Sequence, residues 1–477
     1  MKGKLLQNLS ANTLQLVINQ VFGLVIFYIL STNLDKDHFG QLNLALAILL
    51  AAFNVLSFGI DQVTVRKIAS GQDPKTLLNT YLNHVLLTGL LFYGLLIIAR
   101  LVLAVQFQPY QLLLTIGFGK LLIYFATPFK QLANGFEQFG VLTRMSVVSN
   151  IVRGVALIVM GQLHAITLTS VAFVFIAGDV AELLLTVALF KYKLKVPISL
   201  RWNGAAYVNL IREAMPQMGV VIFTSALARF DWIFIGVFVS AVKLAEYSFA
   251  YKVFELATLP LLAVAPLLVP KFTQLFNSAD HRIDDLRFLL RMEMIVSSFI
   301  IVVLNICWAP LVDGITGHKY GSVNSQTFFI LSLSMPFIYF NNFLWSINFA
   351  KGRLKMILWV IGLTFIINLC GDVLLIPFFK NEGAAVAYLI AMLTQAASYF
   401  KKGKIEGLNT IWLPLVLTVF CAIICVLASN YMHSNMLTTL ILLSAIYVVL
   451  LLATMQLRPG DAARLLRILN LRNNPLP

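Results

Sequence analysis

The stretch SALARFDWIFIGVF, residues 225–238, decides the fold because it sets an arginine and an aspartate inside a long apolar run. It is the second half of segment 213–238, which is long enough to cross a hydrocarbon core about 30 Å thick as a helix. At mid-bilayer, Arg229 and Asp231 would each cost about 2.5–3.5 kcal/mol. We therefore predict a membrane-spanning helix whose two charges are satisfied by another helix, a water-filled cavity or a ligand.

Similar apolar runs recur from one end of the chain to the other. The 477 residues are 60% hydrophobic and 12% charged, with a mean hydropathy of +0.87, whereas soluble domains are nearer half apolar and a quarter charged. This composition predicts an all-α, polytopic membrane protein with about 14 transmembrane helices. The predicted spans are 10–31, 39–60, 78–99, 110–133, 143–162, 167–190, 213–238, 246–271, 289–309, 326–350, 357–378, 384–400, 410–429 and 437–456.

The lysines and arginines predict how these spans are oriented. Of the 35 basic residues, 26 fall in segments that are cytoplasmic if the N-terminus is inside, and five fall on the opposite side. By the positive-inside rule, both termini are expected in the cytoplasm. The same asymmetry accounts for the net charge of +15 without a nucleic-acid partner. The first apolar run has no small-residue cleavage motif after it and is expected to be a span rather than a signal peptide.

The sequence argues against an enzyme. Its loops are too short for a folded extramembrane domain, and it contains no Walker A loop, catalytic triad or metal-spaced cluster. We expect a transporter without a cofactor or metal, driven by a gradient such as H⁺ or Na⁺, by the membrane potential or by removal of its substrate. The cysteines are expected to be free core thiols: Cys307, Cys370, Cys421 and Cys425.

A weak internal repeat suggests two lobes. At an offset of 205 residues, FGQLNLA (39–45) aligns with LAEYSFA (244–250), and the first span aligns with the seventh. Six spans per repeat is an even number, so both lobes enter the membrane from the same side, as in parallel-repeat transporters that work by alternating access. The predicted organisation is an N-lobe at 1–206, a C-lobe at 207–405, and two further spans with a basic cytoplasmic tail at 406–477.

The first span carries one narrow polar stripe. Its members are spaced four, three and four residues apart and therefore share one face of a helix: Asn8, Asn12, Gln15 and Asn19. Two interpretations remain open. Amides can hydrogen-bond to a neighbouring helix, or they can line a water-filled cavity that binds sugar hydroxyls.

Arg229 and Asp231 lie about 200° apart around their helix, so they cannot pair with each other on one face. Arginine is the preferred partner of phosphate and carboxylate groups, which makes Arg229 a candidate for substrate binding. The alternative is an ion pair with a carboxylate on another helix, Asp179 or Glu182.

Further charges lie within the spans of both predicted lobes. Asp179 and Glu182 are close enough on one helix that one of them could hold a proton and serve in coupling, or they could pair with Arg153 and Lys120. Basic groups at membrane depth favour an anionic ligand, although the acidic groups could balance them. The candidates for substrate binding are Arg229, Arg153, Lys120, Lys252, Asn12, Gln15 and Asn19. The candidates for coupling or ion pairing are Asp179, Glu182, Asp231 and Asp372.

Two of these candidates have a neighbour on their own helix face. Lys252 and Glu255 are three residues apart and are expected to neutralise each other. Asn368 and Asp372 are four residues apart and also share a face.

Two longer segments resemble a known family. Segment 214–253 has a proline that opens the seventh span (Pro216), an aspartate midway along it (Asp231) and a turn with Ala245, Tyr247 and Ala250. Segment 349–391 has the basic turn Gly352, Arg353, Lys355 and the later pattern Ile376, Pro377, Gly383, Ala384, Ala385. Together with the N-terminal hairpin at Phe39 and Gly40, these motifs resemble the Wzx-type flippases of polysaccharide repeat units, such as those of O-antigen, in the MATE/MOP exporter superfamily.

The resemblance implies two lobes around a central cationic cavity. It implies translocation of an undecaprenyl-pyrophosphate-linked oligosaccharide from the cytoplasmic to the periplasmic leaflet of a bacterial inner membrane, for the synthesis of lipopolysaccharide O-antigen or another surface polysaccharide. Membrane lipid, a polysaccharide polymerase and a chain-length regulator would be the other partners.

Two relatives within the superfamily are alternatives. A lipid II flippase typically has several arginines in its first two helices, whereas the first span here has amides. A cation-coupled multidrug exporter usually has twelve spans and an acidic cavity, whereas here there are two further spans and Arg229. The basic tail 458–472 is either a positive-inside stop signal or a helix that lies on anionic lipid.

Overall fold

The computed structural model describes residues 2–103, 107, 109–258, 283–403, 411–432, 435–461 and 463–464, and within these it leaves out the side chains of 2–14, 16, 103, 220, 224, 226, 283 and 285. The described residues form helices and no strand. These are α1 (Lys2–Asn33), α2 (Lys36–Leu56), α3 (Ile60–Ala69), α4 (Pro74–Leu103), α5 (Tyr110–Gly135), α6 (Phe139–Gln162), α7 (Leu168–Leu189), α8 (Gly204–Phe238), α9 (Ala241–Ala257), α10 (Ile283–Thr316), α11 (Ser325–Ser332), α12 (Met335–Ala350), α13 (Leu354–Gly403), α14 (Trp412–Ser429) and α15 (Met436–Ala453).

The helices confirm the all-α, multi-pass expectation. Ten helical stretches in the described part of the chain are long and apolar enough to cross a membrane. One of them, α13, is 50 residues long and is interrupted at Lys380, whose φ of 51° and ψ of −125° are not helical. It therefore holds two predicted spans, 357–378 and 384–400. Three further predicted spans coincide with helices α1, α8 and α9: these are 10–31, 213–238 and 246–271. Residues 259–271 of the last span lie outside the described residues.

The chain divides by its internal contacts into two compact units, Met1–Ser248 and Phe249–Pro477. This boundary lies within α9. The division into lobes at 1–206 and 207–405 stays a prediction. Asn43 donates a hydrogen bond to the hydroxyl of Ser248 at 3.0 Å, and the two residues are 205 positions apart, the same separation as in the predicted repeat.

The first unit is organised around α5, which packs on α3, α4 and α7, while α6 packs on α1 and α7. Close approach of α1 and α6 depends on Gly154, since a Cβ atom at this position would overlap the ring of Phe22. Helix α8 packs against α2 and α3. Two polar contacts join α8 to these helices. Asn54 of α2 donates a hydrogen bond to the hydroxyl of Ser225 at 3.1 Å, and Lys67 of α3 forms an ion pair with Glu213 at 2.7 Å.

The second unit has its own apolar core. Buried side chains from α10, α12, α13 and α14 meet there, among them Leu290, Phe343, Tyr399 and Leu415. The turn after α10 is held by Asp313, whose carboxylate accepts hydrogen bonds from the backbone N–H groups of Gly321 and Ser322 at 2.8 and 3.0 Å. Apolar packing thus forms the frame, and the charged side chains described next are exceptions within it.

Candidate substrate and coupling site

A buried charge cluster lies in the first unit where α5, α6 and α7 meet. Arg153 of α6 forms an ion pair with Asp179 of α7, and both side chains are buried, Asp179 completely. Lys120 of α5 approaches the same carboxylate, with its Nζ 3.6 Å from Asp179 Oδ1. One carboxylate therefore serves two basic side chains, which leaves an excess positive charge at this point.

Two glycines and one ring allow this arrangement. A Cβ atom at Gly119 would lie 2.5 Å from Asp179 Oδ2, and one at Gly178 would lie 2.8 Å from Arg153 Cγ. Side chains at either position would push α5, α6 and α7 apart. The ring of Phe175 lies beneath both cations, with its centroid 4.8 Å from the guanidinium carbon of Arg153 and 5.9 Å from Lys120 Nζ. Such contacts stabilise a cation that has been removed from water.

Glu182, one turn further along α7, forms an ion pair with Lys130 of α5. The sequence left open whether one of Asp179 and Glu182 holds a proton or whether they pair with basic groups, and the structure gives each of them a basic partner. The pair with Lys130 was not predicted, because this lysine was counted among the 26 basic residues of the cytoplasmic segments. Lys130 lies inside the predicted span 110–133, and this position within a span could have identified it as a partner for a carboxylate on another helix.

A cavity of about 440 Å³ adjoins the cluster. Its walls come from α2, α3 and α5 and consist of Leu46, Leu49, Leu50, Phe53, Asn54, Ser57, Asp61, Lys120, Ile123, Tyr124 and Thr127. Lys120 belongs both to this wall and to the ion pair with Asp179. The polar part of the wall combines one ammonium, one carboxylate, hydroxyls and an amide, groups that can bind an anion and sugar hydroxyls.

Asp61 was not a candidate, because α3 was predicted as part of a loop. In the structure its carboxylate accepts a hydrogen bond from the hydroxyl of Tyr81 on α4. Burial raises the pKa of the Asp61 carboxyl, and the hydrogen bond from Tyr81 acts in the opposite direction. Asp61 is thereby the carboxyl group of the cavity wall, at the beginning of α3.

The amide stripe of α1 is only partly described. Asn150 of α6 donates a hydrogen bond to the side-chain oxygen of Asn19 at 3.0 Å. For Asn19, the structure thus shows the first of the two interpretations, a hydrogen bond to a neighbouring helix. Gln15 has a buried Oε1 with no hydrogen-bond partner in the described part of the chain. The side chains of Asn8 and Asn12 lie outside the described residues.

Arg229 and Asp231 point to different surroundings, as their spacing predicts. Asp231 is buried and accepts a hydrogen bond from the hydroxyl of Tyr247 on α9 at 2.7 Å. Arg229 packs on the ring of Trp232, with its guanidinium carbon 4.5 Å from the centroid, and donates to the carbonyl of Ala228. The carboxylates of Asp179 and Glu182, its predicted alternative partners, pair instead with the basic groups of α5 and α6.

The remaining candidates lie in the second unit. Lys252 pairs with Glu255 at 2.7 Å, as their spacing predicts. Asn368 donates to Asp372 at 2.8 Å, and both are buried. A further carboxylate, Glu293 of α10, was missed by the sequence analysis. It lies within the apolar span Leu286–Thr316, and an ionisable residue in such a position is by default a hypothesis for a functional site.

Comparison with solved structures shows which proteins share this fold. A lipid II flippase, MurJ, in an inward closed conformation has a TM-score of 0.74 at 14% identity, and the match covers 93% of this chain and 97% of that one. An inward-facing multidrug resistance MATE transporter of the MOP superfamily has a TM-score of 0.63 at 10% identity, with 87% and 96% covered. The MATE transporter VcmN of Vibrio cholerae, as a D35N mutant, has a TM-score of 0.57 at 14% identity, with 85% and 98% covered.

Comparison of the sequence places the chain in a family. No curated protein matches it. A family model described as polysaccharide biosynthesis protein matches residues 5–276, more than half of the chain. The fold implied by the resemblance in the sequence is confirmed, because the flippase and MATE structures share it. The chain thus belongs to the polysaccharide biosynthesis protein family.

Proposed function

We propose that this protein is a flippase for lipid-linked oligosaccharides. Its substrate would be a polyprenyl-pyrophosphate-linked repeat unit, moved by alternating access from the cytoplasmic to the periplasmic leaflet for O-antigen or another surface polysaccharide. Family membership and fold support the class of protein. The position of Lys120 carries the choice of substrate, because this lysine joins a membrane-embedded cavity to a cluster with excess positive charge.

The cavity suits the head of such a lipid. Lys120 would contact the pyrophosphate, since an ammonium in a partly apolar cavity attracts an anion more strongly than it does in water. Asn54, Ser57 and Thr127 would hydrogen-bond to sugar hydroxyls. A volume of about 440 Å³ holds the pyrophosphate and the nearest sugar rather than a whole oligosaccharide.

Substrate binding would also change the pairing of Asp179. A phosphate at Lys120 competes with Asp179 for the same ammonium and leaves Arg153 as the main partner of the carboxylate. Asp179 Oδ2 is buried and has no hydrogen-bond partner among the described residues. Asp179 and Glu182 are therefore the proposed coupling residues for H⁺ or Na⁺, and Asp231 and Asp372 are the further candidates. Arg229, Lys252, Asn12, Gln15 and Asn19 remain proposed contacts for the substrate.

A lipid II flippase is the second candidate, since the fold similarity to MurJ extends over 93% of this chain. Both substrates present a pyrophosphate between a polyprenyl chain and a sugar, so the chemistry proposed for Lys120 applies to either. The two functions differ in which missing flippase the protein can replace.

Complementation tests both candidates. One strain lacks its own repeat-unit flippase, and a second is depleted of its lipid II flippase. We compare wild type with Lys120→Ala, Arg153→Ala, Arg229→Ala and the double variant Asp179→Asn, Glu182→Gln, and with Lys193→Ala as a control that removes an exposed lysine. Membrane abundance is measured for each variant.

We expect wild type and Lys193→Ala to restore surface polysaccharide, and Lys120→Ala to lose it at normal abundance. Failure of wild type in several glycan backgrounds, with rescue of the lipid II strain, would replace the first candidate by the second. Full activity of Lys120→Ala would refute its role in binding the pyrophosphate.

A further inference from the structure

A second pocket, of about 590 Å³, lies in the other unit and is rich in arginine. Three parts of the chain form it: the beginning of α10, the residues around the beginning of α14, and the segment that follows α15. Its charged lining residues are Asp284, Arg287, Arg291, Arg458, Asp461 and Arg464. Four arginines and two aspartates leave a formal excess of two positive charges in this lining.

One ion pair forms the frame of the pocket. Arg291 donates to both carboxylate oxygens of Asp461, at 2.7 and 2.9 Å, and both side chains are largely buried. Asp461 also accepts a hydrogen bond from the backbone N–H of Arg458 at 2.8 Å. The carboxylate of Asp461 is thereby engaged within the protein and joins the segment after α15 to α10.

The other arginines are placed around this frame. The guanidinium carbons of Arg464 and Arg291 lie 4.9 and 5.7 Å from the ring centroid of Phe288, which limits where they can point. Arg287 and Arg458 are exposed at the rim. The pair of Arg287 with Asp284 is 3.3 Å long and exposed, so it contributes little to stability and competes weakly with a ligand.

The location indicates what kind of anion reaches the pocket. It lies at one end of two apolar spans, Leu286–Thr316 and Met436–Ala453, and thus at the level of lipid headgroups. The positive-inside rule predicts that this end is cytoplasmic, where anionic lipids attract basic segments. Ile411 and Pro414 give the pocket an apolar side against which the carbon atoms of a lipid can pack.

We propose that this pocket binds a phosphate group, supplied by the headgroup of an anionic phospholipid. Arginine is suited to it because its planar guanidinium forms two parallel hydrogen bonds to phosphate oxygens. The site is distinct from the cavity at Lys120 and does not depend on the proposed function. It would fix α10 and the segment after α15 to the membrane surface.

Titration of the full-length protein in neutral detergent tests the site. The ligands are a short-chain phosphatidylglycerol, phosphatidylcholine of the same chain length, and inorganic phosphate. The variant Arg287→Ala, Arg458→Ala removes the two rim arginines and leaves the pair of Arg291 with Asp461 in place. Its matched control is Arg144→Ala, Arg201→Ala, which removes two exposed arginines of the other unit.

We expect wild type and the control to bind phosphatidylglycerol in preference to phosphatidylcholine. The rim variant should bind it at least about ten-fold more weakly, because a hydrogen bond between a guanidinium and a phosphate contributes about a factor of ten or more. Salt should weaken binding to the wild type. If inorganic phosphate binds as tightly and displaces the lipid, the phosphate site stands and its source is soluble. Equal affinity of the rim variant and wild type, or affinity independent of salt, would overturn the proposal.

Discussion

At the scale of single residues, the question is how a membrane protein tolerates buried charge. Asp179 contacts Arg153 directly and Lys120 at 3.6 Å, and Phe175 lies beneath both cations. A buried pair of this kind contributes little net stability, because removing both charges from water offsets their attraction. Removing only one partner is costly, since the remaining charge stays buried. Net stability therefore does not account for the cluster, and the proposed role in coupling would.

The first prediction follows from this asymmetry. Arg153→Ala should destabilise the protein by about 3–5 kcal/mol, because it leaves Asp179 with one distant partner. The double variant Arg153→Met, Asp179→Leu should be closer to wild type, since no uncompensated charge remains at this position. Thermal unfolding of all variants in one detergent ranks their stabilities. As a control, Lys252→Ala breaks a partly exposed pair and should cost less than about 1 kcal/mol. Equal unfolding of Arg153→Ala and wild type would mean that the pair is not buried as described.

At the scale of helices, small residues decide how closely α1 approaches α6 and how closely α5 and α6 approach α7. Gly154 contacts Phe22, Gly119 contacts Asp179 and Gly178 contacts Arg153, so each glycine lies where two helices meet. Without a hydrophobic driving force between helices in lipid, such close packing supplies much of their association. The same glycines bring the charged groups into contact, which links the packing of the helices to the chemistry of the site.

The second prediction compares two glycines of α6. Gly154→Ala should destabilise the protein by about 1–3 kcal/mol, because its methyl group would overlap the ring of Phe22. Gly161→Ala should be neutral or stabilising, since the nearest atom to its Cβ would be 3.6 Å away and alanine favours a helix. Thermal unfolding of both variants is the measurement. Adding Phe22→Ala should restore part of the stability lost in Gly154→Ala, and a failure to do so would refute this contact as the cause.

At the scale of the whole molecule, the sequence predicted the spans well because hydropathy is a local property. It predicted the chemical partners less well, because these depend on which helices become neighbours. Asn368 with Asp372 and Lys252 with Glu255 were predictable from spacing on one helix. Tyr247 as partner of Asp231, and Lys130 as partner of Glu182, required the tertiary structure. Asp61 was missed because the short helix α3 is not apolar and was predicted as a loop.

Orientation in the membrane is the last prediction, and it concerns every loop at once. The excess of lysine and arginine predicts that the segment containing Lys193 is cytoplasmic and that the loop containing His164 is on the opposite side. Single cysteines at either position are introduced into a chain whose four native cysteines have been replaced. A membrane-impermeant maleimide should label His164→Cys in cells whose outer membrane alone is permeabilised, and label Lys193→Cys only after the inner membrane is opened. His164 lies between two candidate spans and Lys193 at the end of one, and both are exposed. Access of the maleimide to either cysteine therefore depends on the side of the membrane rather than on burial in the protein. The reverse pattern would invert the orientation of every span, and it would place the arginine pocket on the periplasmic side.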